Sequence, residues 1–224
     1  MGESKRDYRY YLFDLDGTLT QSGVGIIDGA IRTLAKFGIE VTDRDSMRRF
    51  IGPPLRYSFR EFFGLSEEET EQAVIYYLDF MKQEGIYRAP LYVGVRETLE
   101  RLSAGGKKLA VVTTKTKYLA EAVIEYDGIR DFFDTIVGPG TDNRNPEKKN
   151  LIREALSNLG VSEEEFDSVL MVGDRFYDIE GAALVGVDAA GALYGYGSRE
   201  ELTDAGATFL IEDIRELQAF LKKM

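Results

Sequence analysis

The sequence contains no cysteine and no histidine. The absence of cysteine excludes disulfide bonds, thiolate zinc sites and cysteine nucleophiles, and it suits a reducing cytosol. The absence of histidine excludes Ser-His-Asp catalysis, histidine metal ligation and a phosphohistidine intermediate. Carboxylates, lysines and hydroxyl groups must therefore perform any chemistry.

Basic residues are few relative to acidic ones, with 28 Lys and Arg against 39 Asp and Glu in 224 residues. The resulting net charge of -11 repels nucleic acid polymers and anionic membranes, so we expect neither as a partner. No apolar run is long enough to span a bilayer, and residues 1–6 lack the apolar region of a signal peptide. We therefore expect a cytoplasmic protein.

From residue 107 onward, short apolar runs alternate with amphipathic segments. Such βα alternation predicts an α/β fold, with a doubly wound, Rossmann-like parallel sheet covered by helices on both faces. The apolar runs cover residues 109–113, 134–137, 168–172, 187–193 and 208–211, and the segments after them cover 118–126, 149–159, 176–185, 198–205 and 214–222.

Residues 21–85 follow the first predicted strand but show helical periodicity and no convincing strand. We therefore predict a small helical cap domain at residues 21–85, inserted into a core domain formed by residues 1–20 and 86–224. The candidate helices cover residues 26–37, 43–50, 55–62 and 67–83, and Gly52-Pro53-Pro54 interrupts the series.

Two carboxylates one residue apart end the first predicted strand, residues 10–13. Because alternate residues of a strand point to the same side, Asp14 and Asp16 share one face and form a candidate cation site. Gly17 permits a close backbone approach or an unusual turn, and Thr18 adds a hydroxyl group. These parts fit Mg²⁺-assisted phosphoryl transfer, although a strand end followed by an Asp-Gly turn would have the same sequence.

Two further apolar runs also end in polar residues. Thr113 and Thr114 follow one run, and Gly173-Asp174 follows the other. Open α/β sheets bind ligands at the carboxyl ends of their strands, so we expect these groups to converge with Asp14. Threonine is also a common strand residue, and Gly-Asp is often merely a turn, so each has a purely structural interpretation.

Taken in chain order, these motifs resemble those of the haloacid dehalogenase-like hydrolases. Phe13-Asp14-Leu15-Asp16-Gly17-Thr18-Leu19 resembles the first motif of that family, and Val111-Val112-Thr113 resembles the second. Met171-Val172-Gly173-Asp174, with Asp178 four residues later, resembles the fourth. The resemblance extends over nearly the whole chain and is specifically to the phosphoglycolate phosphatase-like branch with a small helical cap.

The resemblance implies a Mg²⁺-dependent phosphatase that forms an aspartyl-phosphate. Asp14 would be the nucleophile, and Asp16 would be the general acid and base. Asp14 and Asp174 would bind Mg²⁺ through their side chains and Asp16 through its backbone carbonyl, while Asp178 would orient the metal shell. Thr113 would hold the phosphoryl oxygens.

The family also uses a lysine ahead of the fourth motif to offset charge on the nucleophile and the phosphate, usually in a Lys-Pro setting. Here Asn145-Pro146-Glu147-Lys148-Lys149-Asn150 has the proline before the lysines, which departs from that pattern. The spacing to the following helix favours Lys148 as the catalytic lysine, and Lys149 is the alternative.

We expect the substrate to be a small phosphorylated metabolite. Phosphoglycolate is the nominal substrate of the branch, and nucleoside 5′-monophosphates or pyrophosphate are competitors. Candidate substrate-binding residues are Gly17, Thr114, Lys115 and Arg56, the last of which could hold a substrate carboxylate or a second phosphate. A phosphosugar mutase is the nearest alternative, and a receiver-type phospho-aspartate signalling protein is an alternative from a different class. Both a monomer and a homodimer fit the sequence.

Overall fold

The structure, a computed structural model, describes residues 7–140 and 146–221, and six strands within them form one parallel sheet. In chain order the strands are β1 (Tyr10–Phe13), β2 (Lys108–Val112), β3 (Thr135–Val137), β4 (Val169–Gly173), β5 (Asp188–Ala192) and β6 (Phe209–Ile211). Their spatial order is β3-β2-β1-β4-β5-β6, and every neighbouring pair is parallel. The strand that opens the fold therefore lies in the middle of the sheet, between β2 and β4.

After β1 the chain leaves the sheet and forms a helical cap. Helix α3 (Glu67–Gln83) packs against both α1 (Gly23–Ala35) and α2 (Leu55–Phe63). The rings of Phe50, Phe59 and Tyr77 contact one another inside the cap, with centroids 5.0 to 6.3 Å apart. The predicted inserted helical cap is confirmed. Its helices are α1 (Gly23–Ala35), α2 (Leu55–Phe63) and α3 (Glu67–Gln83), with 3₁₀ segments at Asp45–Phe50 and Gly85–Arg88.

Helices cover both faces of the sheet, because alternate residues of each strand point in opposite directions. Tyr11 and Phe13 of β1 belong to one apolar cluster, whereas Leu12 belongs to another on the opposite face. The predicted doubly wound arrangement is confirmed. The first face is covered by α4 (Val95–Ala104), α5 (Lys117–Tyr126) and the 3₁₀ segment Ile214–Phe220, and the second by α6 (Lys148–Leu159), α7 (Phe176–Val185) and α8 (Arg199–Asp204). No helix in the described ranges has the length and apolar character needed to cross a membrane.

Two predicted α-helices are instead 3₁₀ segments. Residues 43–50 form the segment Asp45–Phe50, in which Met47 and Phe50 are buried three residues apart. That spacing suits a helix with three residues per turn, and the prolines that soon follow prevent a longer α-helix. Residues 214–221 contain the 3₁₀ segment Ile214–Phe220, while residue 222 of that prediction lies outside the described residues.

The two segments that join the cap to the core pair with each other. Thr20 and Leu91 form an antiparallel bridge, and the N–H of Gln21 donates to the carbonyl of Pro90 at 2.8 Å. The segment Gly85–Arg88 precedes this crossing and packs against α1 and α3. The division of the domains after residues 20 and 85 remains a prediction.

Candidate active site

Three buried carboxylates meet at the carboxyl end of the sheet. Asp14 follows β1, Asp174 follows β4, and Asp178 lies in the first turn of α7. One carboxylate oxygen from each residue lies within 4.8 Å of the other two. Because β1 and β4 are parallel neighbours, their ends bring Asp14 and Asp174 to the same place. We call these three residues the carboxylate cluster.

Lys148 lies between two members of the carboxylate cluster. It opens α6, and its Nζ lies 2.6 Å from Asp14 Oδ1 and 2.6 Å from Asp178 Oδ1. Its side chain is only 3% exposed. The neighbouring Lys149 instead pairs with Glu147 at 3.2 Å, and its side chain is 34% exposed. Of the two candidate lysines, the structure brings Lys148 into the site.

Burial and mutual repulsion disturb the ionisation of this cluster. Burial raises the pKa of Asp14 to about 7, and the nearby charge of Lys148 offsets only part of that effect. Burial, together with repulsion from Asp178 and Asp14, raises the pKa of Asp174 well above its ordinary value. Burial also acts to lower the pKa of Lys148, but Asp14 and Asp178 hold it above its usual range.

The carboxylate cluster fits a divalent metal ion. With all groups ionised, three carboxylates and the single ammonium group of Lys148 leave two uncompensated negative charges in a buried place. Buried charges of one sign are costly unless a counter-charge neutralises them. Carboxylate oxygens are the ligands that Mg²⁺ prefers, so both the charge and the donor set suit that ion.

Two hydrogen bonds fix the carboxylate of Asp174. The hydroxyl of Thr18 donates to Oδ1 at 3.0 Å, and the backbone N–H of Tyr196 donates to Oδ2 at 2.9 Å. Gly17 lies against the same carboxylate with a φ of 97°, and a Cβ at that position would overlap it. Gly17 therefore leaves room for the cluster. Sequence reasoning misses Thr18 and Tyr196 as partners of Asp174, and the only available signal is the Thr18 hydroxyl in the first motif.

The carboxylate of Asp16 does not join the cluster but pairs with Lys115. Lys115 Nζ lies 2.9 Å from Asp16 Oδ1 and 2.7 Å from Oδ2, and both side chains are largely buried. Thr113, which follows β2, accepts a hydrogen bond at its hydroxyl from the backbone N–H of Lys115 at 3.1 Å. Lys115, a predicted substrate ligand, pairs here with the candidate acid and base, and its contact with substrate remains a prediction.

Two side chains next to the sequence motifs bind the cap. The hydroxyl of Thr114 donates to the carbonyl of Gly52 at 3.2 Å. The guanidinium of Arg175 donates to the carbonyl of Ile51 and pairs with Glu201 at 2.7 Å. Thr114 and Arg175, which directly follow Thr113 and Asp174 in the chain, therefore donate hydrogen bonds to two consecutive carbonyls of the cap. We call these two hydrogen bonds the cap latch.

The predicted substrate ligand Arg56 lies outside the carboxylate cluster and lines a small cavity that Thr114 also lines. It occupies the first turn of α2, where its Nε and Nη2 donate to the two carboxylate oxygens of Glu71 at 2.9 and 3.0 Å. This bidentate pair joins α2 to α3 within the cap. The role of Arg56 in substrate binding remains a prediction, and the contacts in this structure are structural ones.

A cavity of about 70 Å³ separates the core from the cap. Asp14 and Asp16 line its core side together with Thr113, Thr114 and Lys115. The motif residues therefore face a partly enclosed space between the core and the cap. The cap contributes the side chains of Ile26, Phe50, Leu55, Tyr77, Leu78 and Met81, as well as the turn at Gly52-Pro53.

Comparison with known proteins identifies the family. Residues 11–192 match the haloacid dehalogenase-like hydrolases. The chain belongs to that family. The match spans β1 to β5 and includes the whole cap, so it covers every residue of the carboxylate cluster together with Lys148.

Relatives of known or assigned activity are similar over almost the whole chain. A 5′-nucleotidase of Pseudomonas aeruginosa is 34% identical over 222 residues, which are 99% of each chain. A phosphoglycolate phosphatase of Aquifex aeolicus is 33% identical over 189 residues, 84% of this chain and 86% of its own. The crystal structure of a predicted phosphatase from Clostridium acetobutylicum superposes with a TM-score of 0.89 at 38% identity, covering 95% of this chain and 97% of its own. The protein is a phosphoric monoester hydrolase of the haloacid dehalogenase-like family.

Proposed function

We propose that the protein is a Mg²⁺-dependent phosphatase that hydrolyses small phosphomonoesters through an aspartyl-phosphate on Asp14. The observation that carries this proposal is the position of Asp14. It belongs to the buried carboxylate cluster and also lines the cavity between core and cap. One oxygen of Asp14 can therefore contribute to a cation site while the other faces a substrate.

Asp14, Asp174 and the backbone carbonyl of Asp16 would hold Mg²⁺, with Asp178 orienting the metal shell. The bound ion would supply positive charge that allows an anionic nucleophile to approach an anionic phosphate. Lys148 adds one further positive charge beside Asp14. The hydroxyl of Thr113 accepts an N–H from the backbone, so its proton is free to be donated to a phosphoryl oxygen.

The reaction has two steps. In the first, a carboxylate oxygen of Asp14 attacks the phosphorus, the bond from phosphorus to the ester oxygen breaks, and Asp16 donates a proton to the leaving oxygen. In the second, Asp16 takes a proton from water as the water oxygen attacks the phosphorus. The bond between Asp14 and phosphorus then breaks, which releases inorganic phosphate and restores both carboxyl groups.

The relatives differ in their substrates. The P. aeruginosa relative is a 5′-nucleotidase and the A. aeolicus relative a phosphoglycolate phosphatase, while a Bacillus velezensis relative is a pyrophosphatase. A small phosphorylated metabolite is common to these activities. We also propose a cytoplasmic location and a monomeric or homodimeric state. Size-exclusion chromatography with light scattering tests the oligomeric state.

The test is phosphate release from phosphoglycolate, nucleoside monophosphates, sugar phosphates and pyrophosphate, with Mg²⁺ and with chelator. We expect release that requires Mg²⁺ and that Asp14→Asn abolishes without unfolding the protein. Release at the wild-type rate from Asp14→Asn, or in chelator, would refute the proposal. Conversion of one sugar phosphate into another without release of phosphate would instead identify a mutase.

A further inference from the structure

The cap side of the cavity has an apolar character. Its six lining side chains are aliphatic or aromatic, apart from the uncharged hydroxyl of Tyr77. Ile26, Phe50 and Met81 are each at most 5% exposed, so these groups form a wall with little access to water. The Phe50 and Tyr77 rings contact each other with centroids 6.1 Å apart. This wall lines the same cavity as Asp14 and Asp16.

Among the described residues that line this cavity, the single cation is already paired with a carboxylate. Lys115 is the one cation in the described lining, and it is bound to both oxygens of Asp16. Arg56, next to the lining residue Leu55, is bound to both oxygens of Glu71.

Arg175, the nearby cation of the core loop after β4, is also engaged. Its guanidinium binds Glu201 and the carbonyl of Ile51. The guanidinium of Arg175 is therefore already occupied by the cap latch and by Glu201.

We infer that the leaving group of the preferred substrate is uncharged and apolar, and that a carboxylate or a second phosphate on it is selected against. This inference rests on the proposed function, because it assigns the substrate class of the same site. An anionic leaving group would lie against an apolar wall without a partner, and a buried unpaired charge is costly. If Lys115 turned to meet that charge, Asp16 would be left unpaired instead.

The first experiment compares esters that differ only in the charge of the leaving group. Ethyl phosphate is paired with phosphoglycolate, which has a carboxylate in place of the methyl group, and phenyl phosphate is paired with 4-carboxyphenyl phosphate. We expect kcat/KM to be at least roughly 100-fold higher for the uncharged member of each pair. Pyrophosphate, whose leaving group is phosphate, should be a correspondingly poor substrate.

The second experiment introduces a cation among the apolar side chains with which the cap lines the cavity. Leu78 lies on α3, lines the cavity and is half-buried, so an arginine there can reach the cavity without filling the cap interior. Leu78→Arg should shift the ratio of kcat/KM towards the charged esters by at least about 10-fold, because arginine binds carboxylates in a bidentate geometry. Leu78→Gln is the matched control, since it adds polarity without charge and should leave the ratio close to that of the wild type.

The outcomes separate the two proposals. Hydrolysis of the charged members as fast as, or faster than, their uncharged partners would overturn the inference about the leaving group while leaving the phosphatase intact. An equal shift of the ratio in Leu78→Gln and Leu78→Arg would also overturn it. A failure to hydrolyse any ester with Mg²⁺ would refute the proposed function itself, and this inference with it.

Discussion

Replacing Lys148 by methionine tests how the carboxylate cluster is stabilised. The substitution keeps the length and apolar stem of the side chain but removes the ammonium group, which contacts Asp14 and Asp178 at 2.6 Å each. The side chain is 3% exposed, so water cannot replace the lost charge. Removing one partner of a buried ion pair costs about 3–5 kcal/mol, because the remaining charges stay buried without compensation. For a chain of this size that corresponds to a fall in melting temperature of roughly 6–20 °C.

The matched control is the adjacent lysine. Lys149 pairs with Glu147 at the surface, with side chains 34% and 58% exposed, and Lys149→Met should cost less than about 1 kcal/mol. Urea denaturation of both variants in chelator at pH 7.5 gives the two free energies of unfolding. The reasoning fails if Lys148→Met costs less than 1 kcal/mol, or if the two variants lose equal stability. In the presence of Mg²⁺, Lys148→Met should also lower kcat by roughly 100-fold or more, while Lys149→Met stays close to the wild type.

Three further predictions concern other parts of the molecule. Gly17→Ala should abolish Mg²⁺ binding measured by calorimetry, because its Cβ overlaps a cluster carboxylate, whereas Gly38→Ala, with a similar positive φ but open surroundings, should retain it. Arg175→Met removes the hydrogen bond of the cap latch to the carbonyl of Ile51. In steady-state kinetics on the ester with the highest kcat/KM, this variant should raise KM by a larger factor than it lowers kcat. Burial raises the pKa of Asp127 to about 6 despite the opposing charge of Arg96, so wild-type stability should fall as the pH rises from 3.8 to about 6. Asp127→Asn should make this fall shallower but not abolish it, because the raised pKa values of Asp14 and Asp174 contribute a fall of the same sign. An unchanged slope in urea denaturation of the variant across this range would contradict the reasoning.

The sheet and the convergence of the first and fourth motifs could be predicted from the sequence. Tyr11, Leu12 and Phe13 are buried on two different faces, so the continuous apolar run before Asp14 is the mark of a strand in the middle of a parallel sheet. Once the strands are known to be parallel, Asp14 and Asp174 must lie at the same end. Local patterns and the rule that ligands bind where parallel strands end are enough to predict this convergence.

The pairing of charged side chains could not be predicted in the same way. Arg56 and Glu71 are 15 residues apart, and Lys115 and Asp16 are 99 residues apart, so no local pattern links either pair. The sequence predicts both cations as substrate ligands; in the structure each pairs with a carboxylate of the chain, and their contact with substrate remains a prediction. Whether each cation can bind substrate depends on which carboxylate the fold places next to it.

The choice between adjacent lysines and the form of short helices also depend on packing. Successive residues of a helix point about 100° apart, so one of Lys148 and Lys149 must face the cluster and the other must face solvent. Their sequence spacing favours Lys148 but does not exclude the other arrangement. The 3₁₀ form of Asp45–Phe50 likewise follows from the burial of Met47 and Phe50 against the cap, which the apolar pattern alone does not determine.

Rapid acid quenching of a single turnover with a radiolabelled ester shows whether Asp14 becomes phosphorylated. We expect transient label on the protein, released by hydroxylamine as expected of an acyl phosphate. Peptide mapping should locate the label at Asp14, and it should form only with Mg²⁺ and never in Asp14→Asn. Full release of phosphate without labelled protein at any quench time, or label at another residue, would contradict the assignment of Asp14 as the nucleophile.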